Sequence, residues 1–209
     1  LKIYKEEPGL DIRVKNKINY WVKCLKGKKV GQSTVRVSRK GRVENIEGFD
    51  KGHWWIQDIA AQLPVILMGN IKDKSILDLC ASPGGKTAQM LNEGAFVKAV
   101  DISEKRVKIL RQNIKRLGLT KNLSVVSKDI MLLKDSLKFD IVLLDAPCSG
   151  TGTFRKNPDV LWTKSKNDVI KNSQRQKKLI RKALELVKSE GKLIYSNCSL
   201  QYEEGEYLI

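Results

Sequence analysis

The sequence predicts an α/β fold: a mostly parallel sheet covered by helices on both faces, preceded by a small α+β appendage. Three observations predict it. From Lys74 onward, short apolar runs of strand length alternate with segments of helical periodicity. Acids recur just after successive strands, at Asp101, Asp129 and Asp145, where an open parallel sheet binds its ligands. Residues 1–48 have a different texture, with short β-prone runs broken by Gly27, Gly31 and Gly41.

In chain order, Ile12–Val14 and Ser33–Val37 read as strands. Between them, Asn16 to Lys29 carries Ile18, Val22 and Leu25 on one helical face. Trp54, Ile56, Ile59, Leu63 and Leu67 suggest helix through Gln57 to Met68, kinked or divided by Pro64. Ser75–Cys80 is the first strand of the parallel sheet, and Lys86–Asn92 the helix after it. Phe96–Val100 is the second strand, and Glu104–Leu117 a long helix closed by Gly118. Leu123–Ser127 and Phe139–Leu144 are the third and fourth strands. A long helix over Asp168–Ser189 stops before Gly191, and Lys192–Ser196 is the fifth strand. The expected division is a basic segment at 1–48 and a catalytic domain at 49–209. Both ends read as cut: the chain starts at Leu1 and stops on an apolar run without a capping signal.

Composition narrows the function classes. The 209 residues are 41% hydrophobic and 30% charged, enough for a buried core and a well-solvated surface. No apolar run approaches the length of a membrane span, and no signal peptide is recognisable. The four cysteines lie at least 50 residues apart, which argues against a disulfide framework and a zinc site and suggests a reducing cytoplasm. The net charge of +17 is spread along the chain. Charge alone leaves open a polyanionic partner, nucleic acid by default, and lysine used as surface filler.

The first strand runs into Cys80-Ala81-Ser82-Pro83-Gly84-Gly85-Lys86-Thr87. Paired glycines let backbone approach a ligand and turn into a helix. A phosphate loop would need glycine where Cys80 stands, and the dinucleotide pattern G-x-G-x-x-G is absent. Asp101, about twenty residues on, can take ribose hydroxyls. A nucleoside cofactor without a polyphosphate fits best, and S-adenosylmethionine is such a molecule. The alternative is a helix-entry turn with no ligand.

The fourth and fifth strands carry sulfur at their carboxyl ends. Asp145-Ala146-Pro147-Cys148-Ser149-Gly150-Thr151-Gly152 follows the fourth strand, and Tyr195-Ser196-Asn197-Cys198-Ser199 ends the fifth. Adjacent parallel strands would bring Cys148 and Cys198 to one rim beside Asp145. A free cysteine is more often an inert packing residue than a nucleophile. Two at neighbouring strand ends, one in Asp-x-Pro-Cys, point to chemistry.

These segments, with Ala99-Val100-Asp101-Ile102-Ser103, Arg155-Lys156-Asn157-Pro158-Asp159-Val160-Leu161-Trp162 and the upstream run Gly52–Pro64, resemble the RNA cytosine-C5 methyltransferases of the NOL/NOP/Sun family. The chain is most similar to the bacterial Sun/Fmu/RsmB branch, over roughly residues 8–206. The resemblance implies a Rossmann-like methyltransferase fold with strand order 3-2-1-4-5 and further strands beyond the fifth. It implies methyl transfer from S-adenosylmethionine to carbon 5 of a cytosine in RNA, 16S ribosomal RNA in that branch, through a covalent cysteine adduct. Cys198 is then the nucleophile, Cys148 assists product release, and Asp145 holds the cytosine edge. Cys80, Ala81, Ser82, Pro83, Gly84, Gly85, Lys86, Asp101, Asp129 and Asp145 take the cofactor, with Asp129 on the adenine side and Cys80 there chiefly as packing. Lys86 is a candidate source of positive charge for the thiols.

Other positions keep two readings. Arg155, Asn157, Pro158, Asp159 and Trp162 form either a substrate-side wall or a turn with an aromatic anchor. Lys164 to Lys182 holds eight basic residues and one acid, read as the solvated face of a helix whose Val169, Leu179 and Leu186 meet the sheet. His53 reads as a packing residue beside Trp54 and Trp55, and Asp140 as structural. Asn197 departs from the small residue that commonly precedes the family nucleophile. The expected partner is RNA, with no metal and no membrane, and the expected state is a cytoplasmic monomer. The competing function is a truncated fragment that binds RNA and cofactor without methylating; an amino-group methyltransferase is disfavoured by Cys148 in place of an aromatic motif.

Overall fold

The computed structural model describes residues 8–38, 41–134, 136 and 138–208. It contains two sheets. The first is antiparallel: β1 (Leu10–Val14), β2 (Lys28–Lys29), β3 (Thr34–Val37) and β4 (Trp54–Ile56), in the order β2-β3-β1-β4. Helix α1 (Ile18–Cys24) crosses one face, and Ile12, Val14, Val35, Val37, Trp21 and Trp54 form the core between them. Alternation along β1 puts Asp11 and Arg13 on the opposite face, directed at the rest of the molecule.

The second sheet is wholly parallel. It comprises β5 (Ser75–Leu79), β6 (Phe96–Asp101), β7 (Leu123–Ser127), β8 (Phe139–Asp145) and β9 (Val187–Ser196), in the order β7-β6-β5-β8-β9. That is the predicted order 3-2-1-4-5. Successive residues along each strand serve different cores. Ile76, Val97, Ala99, Ile141 and Leu143 pack with α2 (Ile59–Ile66), α3 (Gly85–Asn92) and α4 (Glu104–Arg116). Leu77, Leu79, Val100, Val142 and Leu144 pack against Leu179, Ala183 and Leu186, the first two on α6 (Lys166–Leu184), which follows the short α5 (Val160–Thr163). Burial on both faces is why these strands read as continuous apolar runs.

Several boundaries differ from the sequence expectation. Trp54–Ile56 is a strand that pairs with β1, which places Trp54 in the core of the first sheet and Trp55 in the core of the second. The antiparallel sheet therefore extends past residue 48. Pro64 lies inside α2 without dividing it; Leu67 N still reaches Leu63 O at 2.9 Å, so a single N–H is lost. Helix α6 starts at Lys166, where Ser165 and Asp168 form a capping box, and ends at Leu184. The chain then enters the sheet five residues before Lys192. Phe139 N donates to Leu186 O, Leu186 is fully buried, and the extra length leaves an irregularity between Phe139 and Ile141.

Polar contacts seat the first sheet on the second. Arg13 donates to Gln62 on α2 and, at 2.8 Å, to Glu93 beyond α3. Gln57 joins Gln89 at 2.8 Å, and the Trp55 indole donates to Gln57. On the far side, the Arg116 guanidinium lies 3.9 Å from the Phe49 ring centre. No helix is long and apolar enough to cross a membrane among the described residues.

Candidate active site

A cleft of about 610 Å³ opens at the carboxyl ends of β8 and β9. The antiparallel sheet and α2 supply one wall through Arg36, Asp58, Ala61 and Pro64. Lys86, Asp145 and Cys198 line the other side. The volume lies in the range of small-molecule sites.

The two cysteines meet here. Cys148 Sγ and Cys198 Sγ are 3.3 Å apart, and Cys198 N approaches Cys148 Sγ at 3.4 Å. Parallel pairing of Asp145 with Ser196 aligns the strand ends, and each chain then turns toward the other. Gly152 makes the approach feasible: its N–H donates to Cys198 O at 2.9 Å, and a Cβ there would stand 2.8 Å from that oxygen. Ser149 Oγ and Ser199 Oγ are 3.0 Å apart, and Leu200 N donates to Thr151 Oγ1.

The pair shares its protons. The Cys198 thiol hydrogen-bonds to Cys148 and draws the Cys148 pKa down to about 7, against the effect of burial and with help from backbone N–H groups of Cys198 and Gly150. The same bond, together with burial, holds the Cys198 proton well above the ordinary thiol range. The first proton therefore leaves the pair near neutrality, and the second stays between the sulfurs. By contrast, burial pushes the Cys80 thiol up to about 12, the behaviour of a packing cysteine.

Asp145 stands beside the thiols. Lys86 Nζ donates to one of its oxygens at 2.7 Å, and Ser196 Oγ donates to the other at 2.8 Å. Lys86 thus directs its charge to the carboxylate first; it acts on Cys198 only as the smallest of several influences. Ser196 as the second anchor of Asp145 escaped the sequence reading. Its signal is the parallel register, which sets residues 145 and 196 side by side.

The cofactor-loop residues lie toward the other half of the sheet. Ala81 and Ser82 are buried, and Gly84, at φ 101°, turns the chain into α3 with Leu110 close against it. The α3 amino end has no side-chain cap. Asp101 is buried at the end of β6; its oxygens accept Ser82 N at 3.2 Å and Ser103 N at 3.1 Å, and Arg106 is 3.4 Å away. Asp129 caps a turn through Met131 N at 2.9 Å. Two polar atoms of this half are buried without a partner: Asp78 Oδ1 and Ser82 Oγ. The other Asp78 oxygen accepts the Thr87 hydroxyl, and burial raises the Asp78 pKa to about 7.

The remaining predicted positions divide. Arg155, Lys156 and Asn157 line the cleft, while Trp162 stands 79% exposed. The Asp159 carbonyl accepts N–H groups of Trp162 and Thr163, which starts α5. His53 lies away from the cleft with its ring 5.3 Å from that of Trp21. Asp140 accepts Ser75 N and Oγ and Lys188 Nζ, and those bonds hold it well below the usual carboxylate range. Among the described residues no cluster could hold a metal ion.

A family model described as 16S rRNA methyltransferase RsmB/F matches residues 65–209. The chain belongs to the RsmB/F family. Ribosomal RNA small subunit methyltransferase B of Photorhabdus laumondii subsp. laumondii is 37% identical over 176 residues, which span 83% of this chain and 41% of that protein. The chain thus spans about two fifths of the length of the curated relatives it matches. Among solved structures, PH0851 superposes with a TM-score of 0.89 at 27% identity, covering 99% of this chain and 50% of its own. A methyltransferase homolog protein from Pyrococcus horikoshii gives 0.82 at 28% identity, over 99% of this chain and 70% of its own. The parallel sheet of this RsmB/F chain, with helices on both faces, is the Rossmann-like fold of S-adenosylmethionine-dependent methyltransferases.

Proposed function

We propose that this chain carries the catalytic centre of an S-adenosylmethionine-dependent RNA methyltransferase that modifies carbon 5 of a cytosine in 16S ribosomal RNA through a cysteine adduct. The carrying observation is the 3.3 Å approach of two thiols at the rim of a cleft, one of them with a pKa near 7.

The cofactor half suits its ligand. Asp78 Oδ1 and Ser82 Oγ are buried polar atoms without partners, and the uncapped amino end of α3 favours a carboxylate. The backbone from Ala81 to Gly85 and the side chain of Asp101 would hold S-adenosylmethionine, with Asp129 at its adenine end. Asp101 retains lone pairs for ribose hydroxyls beyond the two backbone N–H groups it accepts. When bound, the cofactor supplies a methyl group on a sulfonium, an electrophile for carbon 5 of the pyrimidine.

Carbon 5 of cytosine is a weak nucleophile, and the thiols address that. Cys198 Sγ forms a bond to carbon 6, the 5,6 double bond opens, and the Cys198 proton passes to the Cys148 thiolate. Asp145, fixed by Lys86 and Ser196, accepts a hydrogen bond from the cytosine amino group and orients the ring. Cys148 returns its proton to solvent, which a pKa near 7 permits at neutral pH. Its thiolate then takes the proton from the methylated carbon 5, the sulfur–carbon 6 bond breaks toward Cys198, and the double bond is restored.

RNA containing 5-azacytidine, which lacks the proton removed in the last step, tests this. The wild-type chain and Cys148→Ala are expected to form a denaturant-stable RNA complex, and Cys198→Ala none. A complex that survives in Cys198→Ala and disappears in Cys148→Ala would reverse the two roles.

A further inference from the structure

Glu204 is fully buried in the turn Tyr202–Glu204, just beyond the Cys198 loop. Its carboxylate meets neutral donors: Ser149 N at 2.8 Å, Ser149 Oγ, and Gln176 Nε2 at 3.2 Å. Gln176 also donates to Pro147 O at 2.8 Å, so both neighbours of Cys148 are held. The Glu204 carbonyl oxygen accepts the Tyr195 hydroxyl at 2.8 Å and Asn197 Nδ2 at 2.7 Å. Asn197 directly precedes Cys198, and its Oδ1 accepts Ser199 N at 2.7 Å.

One buried residue therefore grips the chain beside both thiols. Burying a carboxylate without a cationic partner is costly, and an apolar side chain would fill the space more cheaply. What the apolar side chain could not do is tie Ser149, beside Cys148, and Gln176 by directed bonds to the turn whose backbone carbonyl holds Asn197, beside Cys198. We propose that Glu204 is a positioning residue that sets the separation of the Cys148 and Cys198 sulfurs. The inference rests on the reading of these cysteines as the reacting pair. It also gives Asn197 a purpose, since its amide spans the distance from the Cys198 loop to Glu204.

The titratable groups around the thiols are Asp145, Lys86, Tyr195 and Glu204. The Glu204 charge by itself raises the Cys148 pKa, whereas the close approach of Cys198 lowers it. Charge and positioning thus predict opposite shifts. The test uses the full chain with Cys24→Ser and Cys80→Ala, leaving the two thiols, and follows thiolate ionisation by ultraviolet absorbance. Glu204→Gln keeps the hydrogen-bonding shape and is expected to leave the first ionisation at or below the wild-type value. Glu204→Ala is expected to raise it by about one pH unit or more, toward a free thiol. It should also slow formation of the Cys148–Cys198 disulfide by diamide, which accepts the two hydrogens, about tenfold or more. Asn197→Ala, which leaves the carboxylate contacts in place, should raise the ionisation in the same direction by less. A cooperatively folded Glu204→Ala with wild-type ionisation and disulfide rate would overturn the proposal. If Glu204→Ala does not fold, Glu204→Met, which fills the space without directed bonds, takes its place, and an unshifted Glu204→Met does the same. Both readouts concern the thiols alone. A wild-type chain that forms no RNA adduct contradicts the proposed function, while the titration still decides the role of Glu204.

Discussion

The two halves of the parallel sheet present their ligand ends differently. Around β8 and β9, polar groups close on one another: Asp145 with Lys86 and Ser196, Ser149 with Ser199 and Glu204, Cys148 with Cys198. Around β5 and β6, Asp78 Oδ1 and Ser82 Oγ are buried and unpartnered at the strand ends, and the α3 amino end is uncapped; beside β8 and β9 the unpartnered atom among the described residues is Gln176 Oε1, on α6 behind Glu204. The first half is organised for chemistry before anything binds, as catalysis requires. The second half leaves hydrogen-bonding capacity for a ligand to satisfy.

Breaking the organised half has the largest expected consequence. Cys198→Ala should reduce methyl transfer to RNA by about three orders of magnitude or more, the usual cost of losing a covalent nucleophile; transfer of labelled methyl groups measures it. Cys148→Ala should also stall turnover, but with the enzyme held as an RNA adduct that accumulates on unmodified substrate. Lys86→Ala removes one of the two anchors of Asp145, and a loss of about ten- to a hundredfold in kcat/KM is expected. Wild-type kcat/KM in that variant would show Asp145 to be held by Ser196 alone.

The seating of the first sheet contrasts with both halves. Arg13→Ala leaves Glu93 half-buried without its cation and Gln62 Oε1 with the Thr34 hydroxyl as its remaining donor, and should lower stability by about 3 kcal/mol. Denaturant unfolding measures that cost. A loss below about 0.5 kcal/mol, the scale of surface changes, would mean that the sheets are held together by other contacts.

The ligand-seeking half gives the most specific effect. The folded-state pKa of Asp78 is raised to about 7, so the folded chain keeps a proton that the unfolded chain releases near pH 4. Stability should fall as pH rises from about 4 to 7, fully present below that window and lost above it. Asp78→Asn should flatten the dependence, as melting temperatures across that range would show. An unchanged slope in Asp78→Asn would locate the titration elsewhere.

Much of this arrangement was legible in the sequence because it rests on short-range signals. Alternating apolar runs and the glycine turn after β5 fix the parallel sheet, and Asp-x-Pro-Cys with a second cysteine at the next strand end marks the thiol site. Long-range partners left no local trace. Trp54 and Ile56 look like the start of a helical face with Ile59 and Leu63, yet β1, about 40 residues away in sequence, captures them as a strand. Glu204 sits among other acids, a pattern that ordinarily means a solvated surface, yet it is fully buried by groups 28 and 55 residues away in sequence. Lys86 reads as a general source of charge, and only the tertiary fold shows that Asp145 receives it.

Cooperation between the two sulfurs is best tested by the pH dependence of adduct formation on 5-azacytidine RNA under single-turnover conditions. In the wild-type chain the rate should rise with pH around a midpoint near 7, where the shared proton is lost. In Cys148→Ala the midpoint should move up toward about 8.5, the value of an isolated thiol. An identical midpoint in both would mean that Cys198 acts without its neighbour.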